Sequence, residues 1–245
     1  MERYEPAMSF DEDVARSYDK GLRGDEDAAV AFLRDAAGGG PALELAIGTG
    51  RIALPLAAHG ITVDGIDIAP AMVARLREKP GGDRIAVTMG DIADVPVEGR
   101  YRLVYVVYNS LFNLLTQDEQ VRCFCNVATH LADDGVFVVE AFTPGYLHRL
   151  GDDQYVDAEE IRVDKVWLDV ARHDPVAQRL VKNHVSFAAV GIALNPVVLR
   201  YAWPSELDLM ARIAGLPLAD RFGGWERQPF DARSRLHVSI WGPRH

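Results

Sequence analysis

Three groups of residues in this chain have the types and spacing to do chemistry. In Glu44-Leu45-Ala46-Ile47-Gly48-Thr49-Gly50 an acid lies inside an apolar run that ends in a glycine turn. Such a turn between strand and helix brings backbone N–H groups close to a ligand and aims the helix N-terminus at its negative part. Asp67 ends a second apolar run about 20 residues beyond the turn, the separation at which a carboxylate on the neighbouring parallel strand reaches the ribose hydroxyls of a bound nucleoside. Asp91, after Gly90, puts a further acid at the end of a third run.

The third group is scattered. Among seven histidines, His59 and His130 sit at helix ends facing away from such a crevice and His245 is terminal, so these three read as surface. His148 follows the fifth strand, and His173 and His184 belong to a segment that could cover a site; any of the three could serve as a base. Tyr108, Phe112 and Tyr146 offer aromatic faces to a positive charge, though each reads equally well as core packing. Cys123 and Cys125, two apart on a helical segment, point to different faces and read as packing residues in a reducing compartment.

The elements that must hold these groups follow from periodicity. Residues 10–18 carry Phe10, Val14 and Tyr18 at helical spacing behind Asp11, Glu12 and Asp13, and residues 25–37 make a second helix with the stripe Ala29, Phe32, Leu33 and Ala36. Strands are predicted over 43–47, 61–67, 85–89, 103–108 and 135–142, separated by helices that open at Ile52, Pro70 and a capping box at Thr116 to Glu119. The last of these helices is expected to bury Val121, Phe124, Ala128 and Leu131. Five strands alternating with helices predict an α/β, Rossmann-like doubly wound sheet, mostly parallel. Gly48, Asp67, Asp91, Tyr108 and Glu140 would gather at its carboxyl-end crevice.

After Gly145 the texture turns β-rich. Runs at 163–170, 180–188 and 197–203, with turn signals at His173-Asp174-Pro175 and Leu194-Asn195-Pro196, predict an antiparallel insertion. A helix over 204–214 and strands over 216–222 and 236–241 predict a C-terminal antiparallel hairpin closing the sheet.

Composition narrows the partner. The 245 residues are 49% hydrophobic, enough for a sizeable core. Lys plus Arg is 26 against 36 Asp plus Glu, a net charge of −10 with no basic stripe, which disfavours nucleic acid and favours a small molecule. No long apolar run exists and residues 1–6 do not form a signal peptide, so the expectation is a soluble, cytoplasmic protein without a membrane segment.

Over roughly residues 40–143 the chain resembles the class I S-adenosylmethionine-dependent methyltransferases. Glu44 to Gly50 match that family's acid-x-Gly-x-Gly-x-Gly turn, with Ala46 in place of the first glycine, a departure of one methyl group. The resemblance implies S-adenosyl-L-methionine as cofactor and S-adenosyl-L-homocysteine as product. It implies that Glu44, Ala46, Gly48, Thr49 and Gly50 surround the donor's amino-acid end, and that Asp67, followed by Ile68 and Met72, binds both ribose hydroxyls. Asp91 would take the adenine amino group, the Ile92 backbone would meet the ring, and Tyr108 to Ser110 would line the donor pocket. Tyr108-Asn109-Ser110-Leu111 differs from the Asn-Pro-Pro-Tyr of enzymes that methylate nucleic-acid and glutamine nitrogens.

The amino-terminal helix, the Asn109 to Phe112 loop and the insertion look like those of sugar N-methyltransferases and related natural-product tailoring enzymes. On that narrower resemblance Asn109, Phe112 and Tyr146 contact the acceptor, Ser17-Tyr18-Asp19 matches a Tyr-Asp pair folded over the donor, and Tyr18 and His148 are the catalytic candidates. No metal is implied.

The expected organisation is one domain over 1–245: a helical cap (1–37), a donor-binding core (41–143), an antiparallel insertion or lid (152–203), and a C-terminal helix and closing hairpin (204–245). The expected activity is in-line methyl transfer to an amino or hydroxyl group of a small metabolite, by a monomer or homodimer. Two alternatives stay open. An NAD-dependent oxidoreductase needs a third glycine where Ala53 stands, and a methyltransferase-like subunit could bind ligand and only organise a partner. No Gly-x-x-x-x-Gly-Lys loop exists, which excludes a P-loop ATPase.

Overall fold

The structure is a computed structural model that describes residues 9–21, 23–149, 153–189 and 191–243. The expectations for residues 1–6 and His245 lie outside them.

The apolar run before the glycine turn forms β1 (Ala42–Leu45), buried along its whole length. It pairs in parallel with β2 (Val63–Asp67) on one side and β4 (Tyr101–Val106) on the other. Next to β2 lies β3 (Ala86–Met89), and next to β4 lies β5 (Leu131–Phe142). Two antiparallel strands, β10 (Leu218–Phe222) and β11 (Leu236–Trp241), complete the order β10-β11-β5-β4-β1-β2-β3. The chain winds outward from β1 through β2 to β3, then returns and winds the other way through β4 and β5. The crevice therefore opens between β1 and β4, where the direction reverses.

Helices cover both faces. α2 (Glu26–Ala37) and α3 (Ala53–Ala58) pack Phe32, Leu33 and Leu56 against Leu103, Tyr105 and Val138. On the other face α5 (Gln117–His130) and α6 (Pro204–Ile213) bury Phe124, Val127 and Leu207 with Val104, Phe137 and Trp241. The capping box forms as predicted, with Thr116 and Glu119 each bonded to the other's backbone N–H. Here the stripe differs from expectation. Gln120, Cys123, Phe124 and Val127 are the buried residues, because Gln120 is drawn inward by bonds to the carbonyls of Leu114 and Arg200. Leu131 belongs to β5 and not to the helix.

The remaining helices are α1 (Glu12–Tyr18), capped by the Asp11 carboxylate, and α4 (Pro70–Arg77), with proline in its first turn. Among the described residues no helix is long and apolar enough to cross a membrane.

The insertion has four strands where three were expected: β6 (Gln154–Ile161), β7 (Lys165–Asp174), β8 (Arg179–Ala188) and β9 (Gly191–Arg200) form a separate antiparallel sheet. The predicted turn at Leu194-Asn195-Pro196 lies inside β9. Pro196 is tolerated there because β9 is an edge strand, where a missing N–H leaves no second neighbour short of a donor. Arg200 anchors the sheet to the body through Gln120 Oε1 (2.6 Å) and Glu206 Oε1 (2.6 Å).

One glycine decides how tightly the site turn sits on the sheet. A Cβ at Gly65 in β2 would lie 2.4 Å from Ile47 Cδ1 and 2.8 Å from Ile47 Cβ. Gly65→Ala is expected to destabilise the protein by about 1–3 kcal/mol through overpacking, read as a lower urea midpoint. An unchanged midpoint would show that Ile47 can move aside at no cost.

Candidate functional site

The turn after β1 puts Ala46, Gly48 and Gly50 in the left-handed region, at φ of 59°, 54° and 72°. Glycine holds that conformation freely, but alanine does not, so Ala46 costs about 1 kcal/mol relative to the glycine it replaces. The departure is therefore less mild than one methyl group suggests. What fixes the turn is Asp67. Its Oδ2 accepts from Gly48 N at 2.7 Å and its Oδ1 from Ala69 N at 2.8 Å, tying the end of β1 to the end of β2. Burial pushes the Asp67 carboxyl above its ordinary value against the pull of these amides.

Asp67 opens onto a cavity of about 1320 Å³ lined also by Tyr18, Ala46, Gly48, Ile68, Met72, Asp91 and Ile92. Asp91 is held by Ala93 N, which donates to its Oδ1 at 2.8 Å. On the far side the insertion supplies Arg172, His173, Asp174, Val181 and Val198 as lining.

Other predicted site residues lie elsewhere. Glu44 is 2% exposed and does not line the cavity. It sits on the side of β1 that α2 and α3 cover, where Tyr105 Oη donates to its Oε2 at 2.9 Å, and burial pushes its carboxyl up to about 8. Thr49 and Gly50 are also away from the cavity lining. Thr49 Oγ1 donates to Asp19 Oδ1 at 2.7 Å, and a Cβ on Gly50 would meet Leu76 at 2.8 Å.

Tyr108 and Asn109 are not lining residues either, because both adopt left-handed φ, 56° and 63°, which swings Ser110 and Asn113 into the cavity in their place. Glu140 and Asn109 hold this strained turn. Tyr108 N donates to Glu140 Oε2 at 2.6 Å, and Phe142 N donates to Asn109 Oδ1 at 2.6 Å. Phe112 is fully buried and edge-on to Phe142, and Tyr146 also packs edge-on to Phe142.

The segment after α1 is clamped onto the glycine turn by Asp19, which the Tyr-Asp resemblance had singled out, and by cations that sequence reasoning had not. Asp19 accepts from Lys79 Nζ at 2.7 Å as well as from Thr49. Burial works to raise its carboxyl, yet the bonds from Lys79 and Thr49 outweigh it and hold it below the usual range. Arg51 donates to the carbonyls of Tyr18 and Gly21 and lies over the rings of Tyr18 (4.5 Å) and Tyr108 (5.3 Å). Arg23 bridges Asp25 (2.9 Å) and the buried Glu140 (3.0 Å). Tyr18 is thereby held at the cavity wall.

His148 is exposed and does not line the cavity, but it is connected to it. Its Nε2 lies 3.0 Å from Tyr201 Oη, and Nε2 of the lining residue His173 lies 2.8 Å from the same oxygen. Tyr201 is fully buried. Burial, with His148 nearby, lowers the His173 pKa. His184 lies apart from the cavity, bonded to Asp169 at 2.6 Å, which with Glu159 raises it to about 9.

The residues present fit the methyl donor that the resemblance implies. Two acceptor-only carboxylates stand at adjacent strand ends, and each has capacity beyond its backbone bonds. Ile68, Met72, Ile92, Leu114 and Leu115 offer apolar walls for a flat ring. The volume exceeds the roughly 300–1,000 Å³ of a single-ligand pocket, leaving room for an acceptor beside the donor.

Comparison with known proteins points to the same family. The family described as "Methyltransferase domain" matches residues 42–135. The structure of the CcbJ methyltransferase from Streptomyces caelestis is 38% identical, with a TM-score of 0.92 over 99% of this chain and 100% of that one. The cypemycin N-terminal methyltransferase of a Streptomyces species is 25% identical over 79% of both chains. The dTDP-3-amino-3,6-dideoxy-alpha-D-glucopyranose N,N-dimethyltransferase of Streptomyces fradiae is 29% identical over 58% of this chain and 60% of its own.

Glu44 gives this site a pH signature. In the folded protein its carboxyl keeps a proton up to about 8, against 4.5 for the unperturbed group. The stability it contributes is therefore complete below 4.5 and lost as pH rises through about 8. Glu44→Gln, which can still accept from Tyr105, is expected to flatten the decline in urea midpoint across that window. A decline as steep as the wild type's would contradict a buried, protonated Glu44.

Proposed function

Because the chain belongs to the class I S-adenosylmethionine-dependent methyltransferases, we propose that its acceptor is an amino group of a small natural-product metabolite. The observation that carries this reading is the make-up of the cavity. Five carboxylates (Asp67, Asp91, Glu119, Asp153 and Asp174) line it against two arginines, Arg172 and Arg179. That balance attracts cationic ligands such as an ammonium-form acceptor. Asn113, a lining side chain, has a buried Oδ1 with no partner among the described residues, an acceptor suited to an amine N–H. Two of the relatives are, by name, an N-terminal and an N,N-dimethyl transferase.

In this reading Asp67 holds the ribose hydroxyls, Asp91 and the Ile92 backbone hold the adenine, and the turn at Ala46 and Gly48 holds the amino-acid end. Ile68 and Met72 flank the donor, and Tyr18 closes over it. Glu44, Thr49, Gly50, Tyr108, Asn109 and Phe112 support that surface from behind. When bound, S-adenosylmethionine supplies a methyl group on a sulfonium, an electrophile that needs no activation by the protein. The chain's own residues align the amine and exclude water, so positioning supplies much of the rate.

An ammonium must lose a proton before its nitrogen can attack. Nδ1 of His173, neutral because its pKa is lowered, takes that proton. The His173 Nε2–H then donates its proton to Tyr201 Oη, and the Tyr201 hydroxyl gives its own to Nε2 of His148, which is open to solvent. His148 thus acts through Tyr201 and His173 without touching the acceptor.

Incubation with the donor and a panel of small amines and alcohols is expected to give N-methyl products by mass spectrometry and NMR. O-methyl products alone would overturn the amine assignment. Loss of two hydrogen bonds to a charged group, at about 1.5–3 kcal/mol each, predicts at least a hundredfold weaker donor binding for Asp67→Ala by calorimetry. Unchanged affinity would place the ribose elsewhere. His173→Gln is expected to lower kcat by roughly 10²-fold with donor affinity kept. Tyr201→Phe and His148→Gln should each alter the acid limb of the pH–rate profile, where the accepting base becomes protonated, and an unaltered profile would rule out the relay.

A further inference from the structure

The wall that the insertion gives to the cavity changes character along its length. Val198 of β9, Val181 of β8 and Arg172 of β7 form one cross-strand row, and Asp174 and Arg179 face each other in the next row. All five line the cavity, as does Pro196, two residues along β9 from Val198. The β9 end of the wall is therefore apolar. It packs against the short helical turn Ser110–Asn113, whose Asn113 has the buried, unpartnered Oδ1. The β7 end is cationic, and two strand spacings put it about 10 Å from the β9 end.

Neither arginine is closely neutralised in place. Arg172 and Arg179 are diagonal neighbours on adjacent antiparallel strands, a separation of about 7–8 Å at which like charges repel. Arg172 reaches one carboxylate among the described residues, Asp153, at 3.7 Å. The Arg179 guanidinium has no hydrogen bond or ion pair among them. Asp174 stands directly opposite Arg179, but its Oδ1 accepts from the backbone N–H groups of Val176 (3.0 Å) and Ala177 (2.9 Å) and so caps its own turn. Two guanidinium groups at this separation can close on one carboxylate, each presenting N–H groups to its oxygens.

We propose that Arg172 and Arg179 take a carboxylate of the acceptor, which is then an amino acid whose amine and carboxylate are held apart by an apolar body. The amine end rests on the reading given above. The apolar body lies along Pro196, Val198 and Val181, and the length of that wall suits a chain of several carbons and not an α-amino acid. The lining also favours a carboxylate over a nucleotide diphosphate. From the insertion it includes no aromatic ring except His173, so a second nucleobase has little to stack on. Asp153 and Asp174 offset the two arginines, which leaves room for one negative charge and repels several.

Calorimetry on protein loaded with S-adenosylhomocysteine tests this with 6-aminohexanoate, hexylamine and hexanoate. The amino acid is expected to bind on the order of tenfold more tightly than hexylamine, the gain from hydrogen bonds to a charged group. Arg172→Gln and Arg179→Gln should each remove most of that gain, with hexylamine and S-adenosylhomocysteine bound as by the wild type and melting still cooperative. Equal affinity for 6-aminohexanoate and hexylamine, or a preference that survives the double variant, overturns the proposal. So does the absence of binding by either carboxylate up to about 10 mM. Tighter binding of 6-aminohexyl phosphate than of 6-aminohexanoate overturns it as well, by giving the arginines to a phosphate. Hexanoate has no amine, so its binding reads the arginines alone. Hexanoate bound with nothing gained from an added amine counts against the amine reading, whereas hexylamine bound with nothing gained from an added carboxylate counts against this subsite.

Discussion

The site depends on a carboxylate that is buried and, among the described residues, has no cation beside it. Asp67 is 6% exposed, and its two oxygens are held by the backbone amides of Gly48 and Ala69. Burying an ionised carboxylate without compensation is costly, so these N–H groups must be presented in fixed positions. That requirement accounts for the left-handed backbone at Ala46 and Gly48 and for the absence of a side chain at Gly65, where Ile47 packs onto β2. The turn and the strand end form one unit, and the cavity opens where the sheet's winding reverses beside it.

Around that unit the chain uses charge for two purposes. Asp19, Lys79, Arg51, Arg23 and Glu140 clamp the segment after α1 over the turn, most of them partly shielded from solvent, where ion pairs are screened less than at the open surface. The cavity itself keeps mostly carboxylates, which suits positively charged ligands. His173, Tyr201 and His148 connect its far wall to solvent through one buried hydroxyl. The clamp joins the amino-terminal segment to the core, and the histidine-tyrosine chain joins His148, which precedes the insertion, to His173 of β7 and Tyr201 after β9. The central sheet holds them on opposite sides of one cavity.

Much of the fold was legible because buried strands leave a strong signal. Residues 103–106 and 136–139 read as continuous apolar runs and lie in the strands β4 and β5, and Thr116 with Glu119 announced the start of α5. β6 escaped detection because Asp157, Glu159 and Glu160 interrupt any alternation, and it has no buried face to impose one. Pro196 read as a turn residue because its tolerance on an edge strand depends on strand order, which is a tertiary property. At the site, Asp67 was found from its spacing and Asp91 from its place at a strand end, and both line the cavity. Glu44 and Tyr108 were expected there and lie behind it, since neither the pleat of β1 nor the left-handed φ at Tyr108 can be read from residue type. Arg51 and Arg23 were missed because an arginine that will fold over an aromatic ring looks like any surface cation until the chain has closed.

The central claim is that the cavity beside Asp67 is the methyl-donor site. A crystal structure with S-adenosylhomocysteine bound tests it most directly. The expected result is both ribose hydroxyls on the Asp67 carboxylate, the adenine between Asp91 and Ile92, and the thioether sulfur directed toward Tyr18 and Ser110. A nucleoside bound with its ribose away from Asp67, or seated outside this cavity, would contradict it.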